Sequence, residues 1–131
     1  MSRILALDFG EARCGCAISD PTGTLATPVG AVERPGSRRG LATIAALARD
    51  RQVDRVVVGL PLTLAGEEGQ QARATREFAA RLGELLSVPV ELHDERLTTR
   101  QAERVGGGAD ADSRAAAHLL EAYLAASGRA S

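Results

Sequence analysis

The chain has 131 residues, a net charge of -1, 44% hydrophobic residues and only 2% aromatic residues. This length suits one domain, so we expect a single domain over residues 1–131 with an aliphatic core. No apolar run approaches the roughly 20 residues that span a bilayer. The N-terminus lacks the long apolar region of a signal peptide. These features exclude a membrane-spanning protein and favour a cytoplasmic location.

Arginine and cysteine usage gives little functional information. All 16 basic residues are arginine, and a GC-rich genome explains this bias better than function does. With a net charge near zero, there is no overall positive field that would indicate nucleic-acid binding. Cys14 and Cys16 are too close for a long-loop disulfide, and His93 and His118 are too distant to complete a zinc site. We expect both cysteines to be packed core thiols.

Three strands are predicted at the start of the chain. Apolar runs bounded by turn residues place them at residues 4–9, 14–19 and about 25–32. Pro28 lies in the third run and suits an edge strand, because proline cannot donate a backbone hydrogen bond. The opening is therefore predicted to be a β-meander.

A helix and a central strand are predicted next. Ser37 can cap the helix, whose apolar stripe comprises Leu41, Ile44, Leu47 and Ala48. Residues 53–58 form the run richest in β-branched residues, which predicts a central parallel strand. Gly59, Leu60 and Pro61 are expected to end that strand and to shape the turn after it.

The second half of the chain is predicted to contain three helices and one strand. A long helix over about 67–86 has an apolar stripe of Ala72, Thr75, Phe78, Ala79, Leu82, Leu85 and Leu86. A short strand over 88–92 follows, then a helix over 98–105. The glycine triplet 106–108 stops that helix, and a final helix runs over about 112–126.

The predicted order of elements is βββαβαβαα. A meander followed by alternating helices and strands implies an α/β protein with a five-stranded mixed sheet and helices on both faces.

Three acidic residues lie at the ends of predicted elements. Asp8 is near the end of the first strand, Glu95 follows the fifth, and Asp112 opens the last helix. If the first strand has partners on both sides, Asp8 and Glu95 meet at the sheet edge where open α/β sheets bind ligands. Glu95 is also explained as a loop charge, and Asp112 as a helix N-cap. Asp8 is harder to explain structurally, because a buried carboxylate without a partner costs several kcal/mol.

These acids are the residue types that a metal-dependent nuclease needs. Three neighbouring carboxylates repel one another, and Mg²⁺ or Mn²⁺ relieves that repulsion through oxygen ligands. Two such ions about 4 Å apart can activate a water and stabilise the leaving oxygen of a phosphodiester.

Four segments of the sequence carry a family resemblance. They are residues 4–20 with the core Leu7-Asp8-Phe9-Gly10, 57–62 followed by Gly66, 94–99 (Asp-Glu-Arg-Leu-Thr-Thr) and 111–124. In this order and spacing they resemble the YqgF family of Holliday-junction-resolvase-like proteins linked to pre-16S rRNA processing.

The resemblance implies a fold, a function and a site. The fold would be RNase H-like, and the function a Mg²⁺- or Mn²⁺-dependent nuclease with Asp8, Glu95 and Asp112 as metal-binding catalytic residues. Arg13 and Arg96 lie inside the motifs beside these acids and would hold the scissile phosphate. The implied partners are nucleic acid, either pre-16S rRNA or branched DNA, and ribosomal particles, with the chain a monomer or a weak homodimer.

Neighbouring residues complete the predicted site. A helix beginning near Glu67 would aim its N-terminal amides at the site, with Glu67 and Glu68 as ordinary first-turn acids. Compared with the family, residues 105–110 form a short glycine-rich connector in place of a longer basic one. This difference predicts weak, salt-sensitive binding to nucleic acid.

Three alternative functions are compatible with parts of the sequence, and the first is the weakest. Actin-like and sugar-kinase ATPases share an Asp-x-Gly after their first strand, but they close two such domains over ATP, which this chain is too short to supply. A ribosome-assembly or transcription factor would bind RNA without cleaving it. A DNA junction resolvase would apply the same chemistry to a branched substrate and would require a dimer.

Overall fold

The structure is a computed structural model that describes residues 3–23, 25–63, 65–95 and 108–126. Its strands are β1 Ile4–Phe9, β2 Arg13–Ser19, β3 Ala26–Glu33, β4 Arg55–Leu60 and β5 Val90–Asp94. Its helices are α1 Arg38–Asp50, α2 Gln70–Leu85 and α3 Gly108–Ala126. None of the helices in these ranges combines the length and apolarity that a membrane crossing requires.

The five strands form one mixed sheet in the order β3-β2-β1-β4-β5. β1 pairs antiparallel with β2 and parallel with β4, and β5 continues the parallel half. The predicted mixed sheet is therefore confirmed, with β1 at its centre. Edge position is also confirmed for β3, which contains Pro28 and a register shift opposite Cys16 and Ala17.

Helices cover both faces of the sheet, as predicted. Alternate residues of a strand point to opposite faces, so β1 supplies side chains to two separate cores. Leu5 and Leu7 pack into the first core, which is closed by α1 and α2. Ile4 and Ala6 pack into the second core, which is closed by α3.

α1 agrees with its prediction, including the cap. Ser37 Oγ accepts a hydrogen bond of 3.0 Å from the Gly40 N–H, which satisfies one of the free amides at the helix start. Leu41, Ile44 and Ala48 are buried against the sheet.

The predicted limits of β4 and β5 are wrong, because both strands lie two residues further along the chain. Gly59 and Leu60 do not form a turn; they belong to β4 and pair with His93 and Asp94 of β5. Backbone pairing with β5 extends β4 through a glycine whose own propensity would end a strand.

The predicted start of α2 is also wrong. The helix begins at Gln70, and its first turn contains no acidic residue. Glu67 instead accepts a backbone hydrogen bond of 2.9 Å from Thr63, and Glu68 forms a β-bridge with Leu62. These pairings draw both glutamates into a turn before the helix. The predicted stripe is wrong at Leu85, which is 50% exposed, whereas Leu86 packs against the first core at the end of the helix.

The last helix starts four residues earlier than predicted, at Gly108. Asp112 is therefore inside the helix and is not its N-cap. Asp110 lies in the first turn, and its side chain is exposed to solvent, as predicted. Packing explains the early start, because the adjoining Ala111 is buried at 1% exposure. The predicted helix over 98–105 lies outside the described residues.

Replacing Leu120 with alanine tests the role of α3 as the second layer. Leu120 is fully buried in the α3 core, so Leu120→Ala should lower the free energy of unfolding by about 2–5 kcal/mol. Leu25→Ala is the control, because Leu25 is 65% exposed and its loss should change stability by less than about 0.5 kcal/mol. Urea unfolding measures both. Equal effects would contradict the packing of α3.

Candidate active site

Asp8 is a buried carboxylate on the central strand, with 4% of its surface exposed. It follows Ile4 and Ala6 at alternate positions of β1, so it lies on the face covered by α3. Its neighbours across the sheet are both glycines. Gly15 is its partner on β2. On β4, Gly59 follows Val58, the partner of Leu7, so Gly59 lies beside Asp8. On this face of the sheet, Asp8 therefore has no side chain beside it on either neighbouring strand.

Gly15 brings α3 against the sheet beside Asp8. A Cβ atom at Gly15 would overlap the backbone carbonyl of Asp112 and lie 3.0 Å from the Ser113 nitrogen. Glycine is therefore required for this close approach of a helix backbone to a strand. Because neighbouring strands are about 4.8 Å apart, the contact fixes Asp112 next to Asp8.

Gly59 leaves space for a second acidic residue on the β4 side of Asp8. A Cβ atom there would lie 2.7 Å from Glu95 Cγ and 3.0 Å from Glu95 Oε1. Glu95 comes immediately after β5, and 8% of its surface is exposed. The Glu95 side chain therefore lies over Gly59, the β4 residue beside Asp8. The structure thus brings all three predicted acids to one end of one sheet face.

Asp112 is held by an arginine of the adjacent strand. Arg13 Nε donates to Asp112 Oδ2 at 2.7 Å, between side chains that are 40% and 18% exposed. Arg13 was predicted to contact substrate, and in the structure its partner is one of the candidate acids. Arg96, the other predicted phosphate contact, lies outside the described residues.

The residue types of the three acids are suited to a hard divalent cation. Three carboxylates and no thiolate or imidazole are the ligand types that Mg²⁺ and Mn²⁺ prefer. Within the described ranges, no three His, Cys, Asp or Glu side chains are grouped closely enough to hold a metal ion. In this arrangement Oδ2 of Asp112 is bound by Arg13.

The two cysteines are packed core thiols, as predicted, and they lie in the core on the opposite face of the sheet. Cys14 and Cys16 are free and buried against α1 and α2. Burial raises the pKa of the Cys14 thiol well above its usual value, and contact with Cys16 and the charge of Asp112 raise it further. The Cys14 thiol is therefore protonated at neutral pH and is a poor nucleophile.

A polar network anchors the far end of α3, and sequence reasoning missed it. Tyr123 OH accepts a hydrogen bond of 2.7 Å from Arg55 and donates to Glu91 at 3.0 Å. The Tyr123 ring packs edge-on against His93, with ring centroids 5.6 Å apart. These residues join α3 to β4 and β5. The one available signal was Tyr123 itself, a lone tyrosine on the apolar stripe, whose hydroxyl needs a partner when buried.

Comparison with known proteins identifies related sequences. A family model described as "RuvX: Holliday junction resolvase" matches residues 2–126. A protein of Syntrophomonas wolfei is 42% identical, with 93% of each chain covered. One of Anaeromyxobacter dehalogenans is 45% identical and covers 93% of this chain and 96% of its own. Both carry the name "Putative pre-16S rRNA nuclease".

Comparison with solved structures identifies the fold. RuvC of T. thermophilus in complex with Holliday junction substrate superposes with a TM-score of 0.59 at 14% identity, covering 97% of each chain. A second RuvC structure from Thermus thermophilus gives a TM-score of 0.51 at 17% identity, with the same coverage. The predicted RNase H-like fold is confirmed by these neighbours.

Alanine at Gly15 should mainly lower stability and shift Asp112, whereas alanine at Gly59 should mainly displace Glu95. Gly15→Ala meets backbone atoms and should cost about 1–3 kcal/mol of unfolding free energy. The three atoms nearest to a Cβ at Gly59 all belong to the flexible Glu95 side chain, so Gly59→Ala should largely preserve stability while displacing that carboxylate and weakening Mn²⁺ binding. Urea unfolding and calorimetric Mn²⁺ titration measure these effects.

Gly36→Ala is the matched control for both variants. No atom lies within 4 Å of a Cβ placed at Gly36, so stability and Mn²⁺ affinity should stay at wild-type values. Unchanged Mn²⁺ affinity in a folded Gly59→Ala protein would argue against Glu95 as a ligand.

Proposed function

Because the chain belongs to the RuvX family of Holliday junction resolvases, we propose that it is a Mg²⁺- or Mn²⁺-dependent nuclease that processes the 5′ end of pre-16S rRNA. The observation that carries the proposal is the pair of glycines flanking Asp8. Neither glycine has a side chain. The backbone of Asp112 lies in the space above Gly15, and the Glu95 side chain lies in the space above Gly59. A structural carboxylate would need no such arrangement.

Asp8, Glu95 and Asp112 are proposed as the metal ligands. Asp8 is fixed by its pairing with Gly15 of β2, one residue after the β1–β4 pairing ends at Leu7. Glu95 and Asp112 come instead from the end of a strand and from a helix. Two bound divalent ions would supply an activated water and a charge that stabilises the leaving oxygen of the phosphodiester. The carboxylates would hold these ions, and the buried core beneath α3 would keep water from the side facing the sheet.

Arg13 is proposed to have two successive roles, first as a partner of Asp112 and then as a contact for the substrate. Its guanidinium neutralises Asp112 before metal binds. With Asp112 engaged as a metal ligand, the half-exposed Arg13 guanidinium would be available for a phosphate oxygen, which it can bind bidentately. Arg96 is proposed as a second phosphate contact, on the strength of its position beside Glu95 in the family-like motif.

RNA is the proposed substrate because sequence relatives carry more weight than shared fold. Relatives at 42% and 45% identity are named for pre-16S rRNA, whereas the RuvC complex with a Holliday junction is 14% identical. We propose that the chain acts in the cytoplasm as one domain, on ribosomal particles or free precursor, and as a monomer or weak homodimer.

Branched DNA is the second candidate substrate. It is favoured by the description of the family model and by the RuvC fold. Cleavage of a four-way DNA junction and of a pre-16S rRNA fragment, measured side by side, distinguishes the two. Binding without cleavage of either would favour an RNA-binding assembly factor instead.

Asp8→Asn should abolish cleavage, since it removes the central charge with little change in volume. Asp110→Asn is the control, because Asp110 is exposed in the first turn of α3, two residues from Asp112. Turnover of labelled RNA with Mg²⁺, and its loss on adding a chelator, should be seen for wild type and Asp110→Asn alike. Full activity of Asp8→Asn would assign the cleavage to another site or protein.

Arg13→Gln should tighten metal binding while weakening catalysis. Removing the guanidinium frees Asp112, and a partly exposed ion pair is worth up to about 1 kcal/mol, which corresponds to up to about 5-fold in Mn²⁺ affinity. The KM for RNA should rise, because the phosphate contact is lost. Weaker Mn²⁺ binding in this variant would contradict competition between Arg13 and metal for Asp112.

A further inference from the structure

Three exposed arginines lie where β3 ends and α1 begins. They are Arg34, Arg38 and Arg39. We propose that they bind the phosphate backbone of the nucleic-acid substrate outside the scissile position. This inference rests on the proposed nuclease function and adds a binding surface to it.

The arginines lie at the same end of the sheet as the acidic residues. The Arg34 N–H donates to the Ala12 carbonyl at 2.9 Å. Ala12 precedes Arg13, which contacts Asp112 and pairs in register with Glu33. The β3–α1 connection lies one strand spacing, about 4.8 Å, beyond Arg13. A nucleic-acid backbone bound at Arg13 would therefore reach it.

The three guanidinium groups are available for a ligand. Among the described residues they form no ion pair, whereas Arg13, Arg55 and Arg76 each contact a carboxylate. The first turn of α1 also contains no acidic residue. Cations at a helix N-terminus are unfavourable because they face the positive end of the helix dipole. An anion at this position would relieve that repulsion.

The connection that carries these residues is held rigidly. The Arg34 carbonyl accepts hydrogen bonds from the Ser37 N–H at 3.0 Å and from Ser37 Oγ at 2.7 Å. Arg81 on α2 donates to the Gly36 carbonyl at 2.9 Å. Arg34 has a φ of 47°, a conformation that residues with side chains rarely adopt. The backbone of this connection therefore loses little conformational entropy when a ligand binds.

The chemistry favours a phosphate backbone over bases. Guanidinium groups bind phosphate oxygens bidentately, and this recognition is independent of sequence and sensitive to salt. Aromatic side chains, on which bases stack most strongly, make up only 2% of the chain. Glu33 is exposed next to Arg34, so the attractive surface extends toward α1 and away from β3.

Two double variants at opposite ends of α1 test the proposal. R38Q/R39Q removes two charges at the N-terminal end, and R49Q/R51Q removes two exposed charges at the C-terminal end. Both are made in the Asp8→Asn background, so that the probe is bound without being cleaved. The probe is an RNA hairpin with a single-stranded 5′ extension. Its affinity is measured by fluorescence anisotropy at several KCl concentrations, and circular dichroism checks folding.

The slope of log affinity against log salt gives the result. Losing two phosphate contacts should reduce its magnitude by about 1.4 to 1.8 in R38Q/R39Q, and R49Q/R51Q should keep the parent slope. Equal reductions in both variants would indicate a general charge effect and would overturn the proposal. An unchanged slope in R38Q/R39Q would also overturn it, while leaving the nuclease function intact. Failure of the Asp8→Asn parent to bind would instead count against the nuclease function.

Discussion

The contact between the backbone of α3 and Gly15 determines the geometry of the whole site. A helix can approach a strand this closely only where the strand has no side chain, and a Cβ at Gly15 would occupy the position of the Asp112 carbonyl. Gly15 is also the antiparallel partner of Asp8. One residue without a side chain therefore sets the depth of α3, the register of Asp112 and the distance between two of the three acids.

The cost of this arrangement is electrostatic. Asp8 and Glu95 are buried and Asp112 is nearly so, and like charges in a region of low dielectric repel strongly. Arg13 offsets part of that repulsion, and a divalent cation would offset more. On our account, the same arginine stabilises the fold without metal and contacts substrate when metal is bound. Replacement of the Arg13 guanidinium by a metal ion at Asp112 would therefore link folding, metal binding and catalysis.

Sequence patterns predicted the fold and the location of the acids better than they predicted element limits. β1 and α1 were predicted well because their signals are local, an apolar run and a serine cap. The shift of β4 and β5 by two residues depends on strand pairing, which places Gly59 in a ladder opposite His93. The start of α3 at Gly108 depends on packing against β2, which overrides the low helix propensity of glycine. Gly15 and Gly59 carried a usable signal, since a glycine inside a strand often marks a close approach. The ion pair of Arg13 with Asp112 spans 99 positions of the chain and has no local signal.

Anomalous diffraction from crystals soaked in Mn²⁺ tests the central claim most directly, because it locates the metal without relying on activity. The account predicts a manganese peak contacted by Asp8, Glu95 and Asp112, with the Arg13 guanidinium displaced from Asp112 Oδ2. A protein saturated with Mn²⁺ that shows no peak between these carboxylates, and keeps the 2.7 Å contact between Arg13 and Asp112, would contradict it.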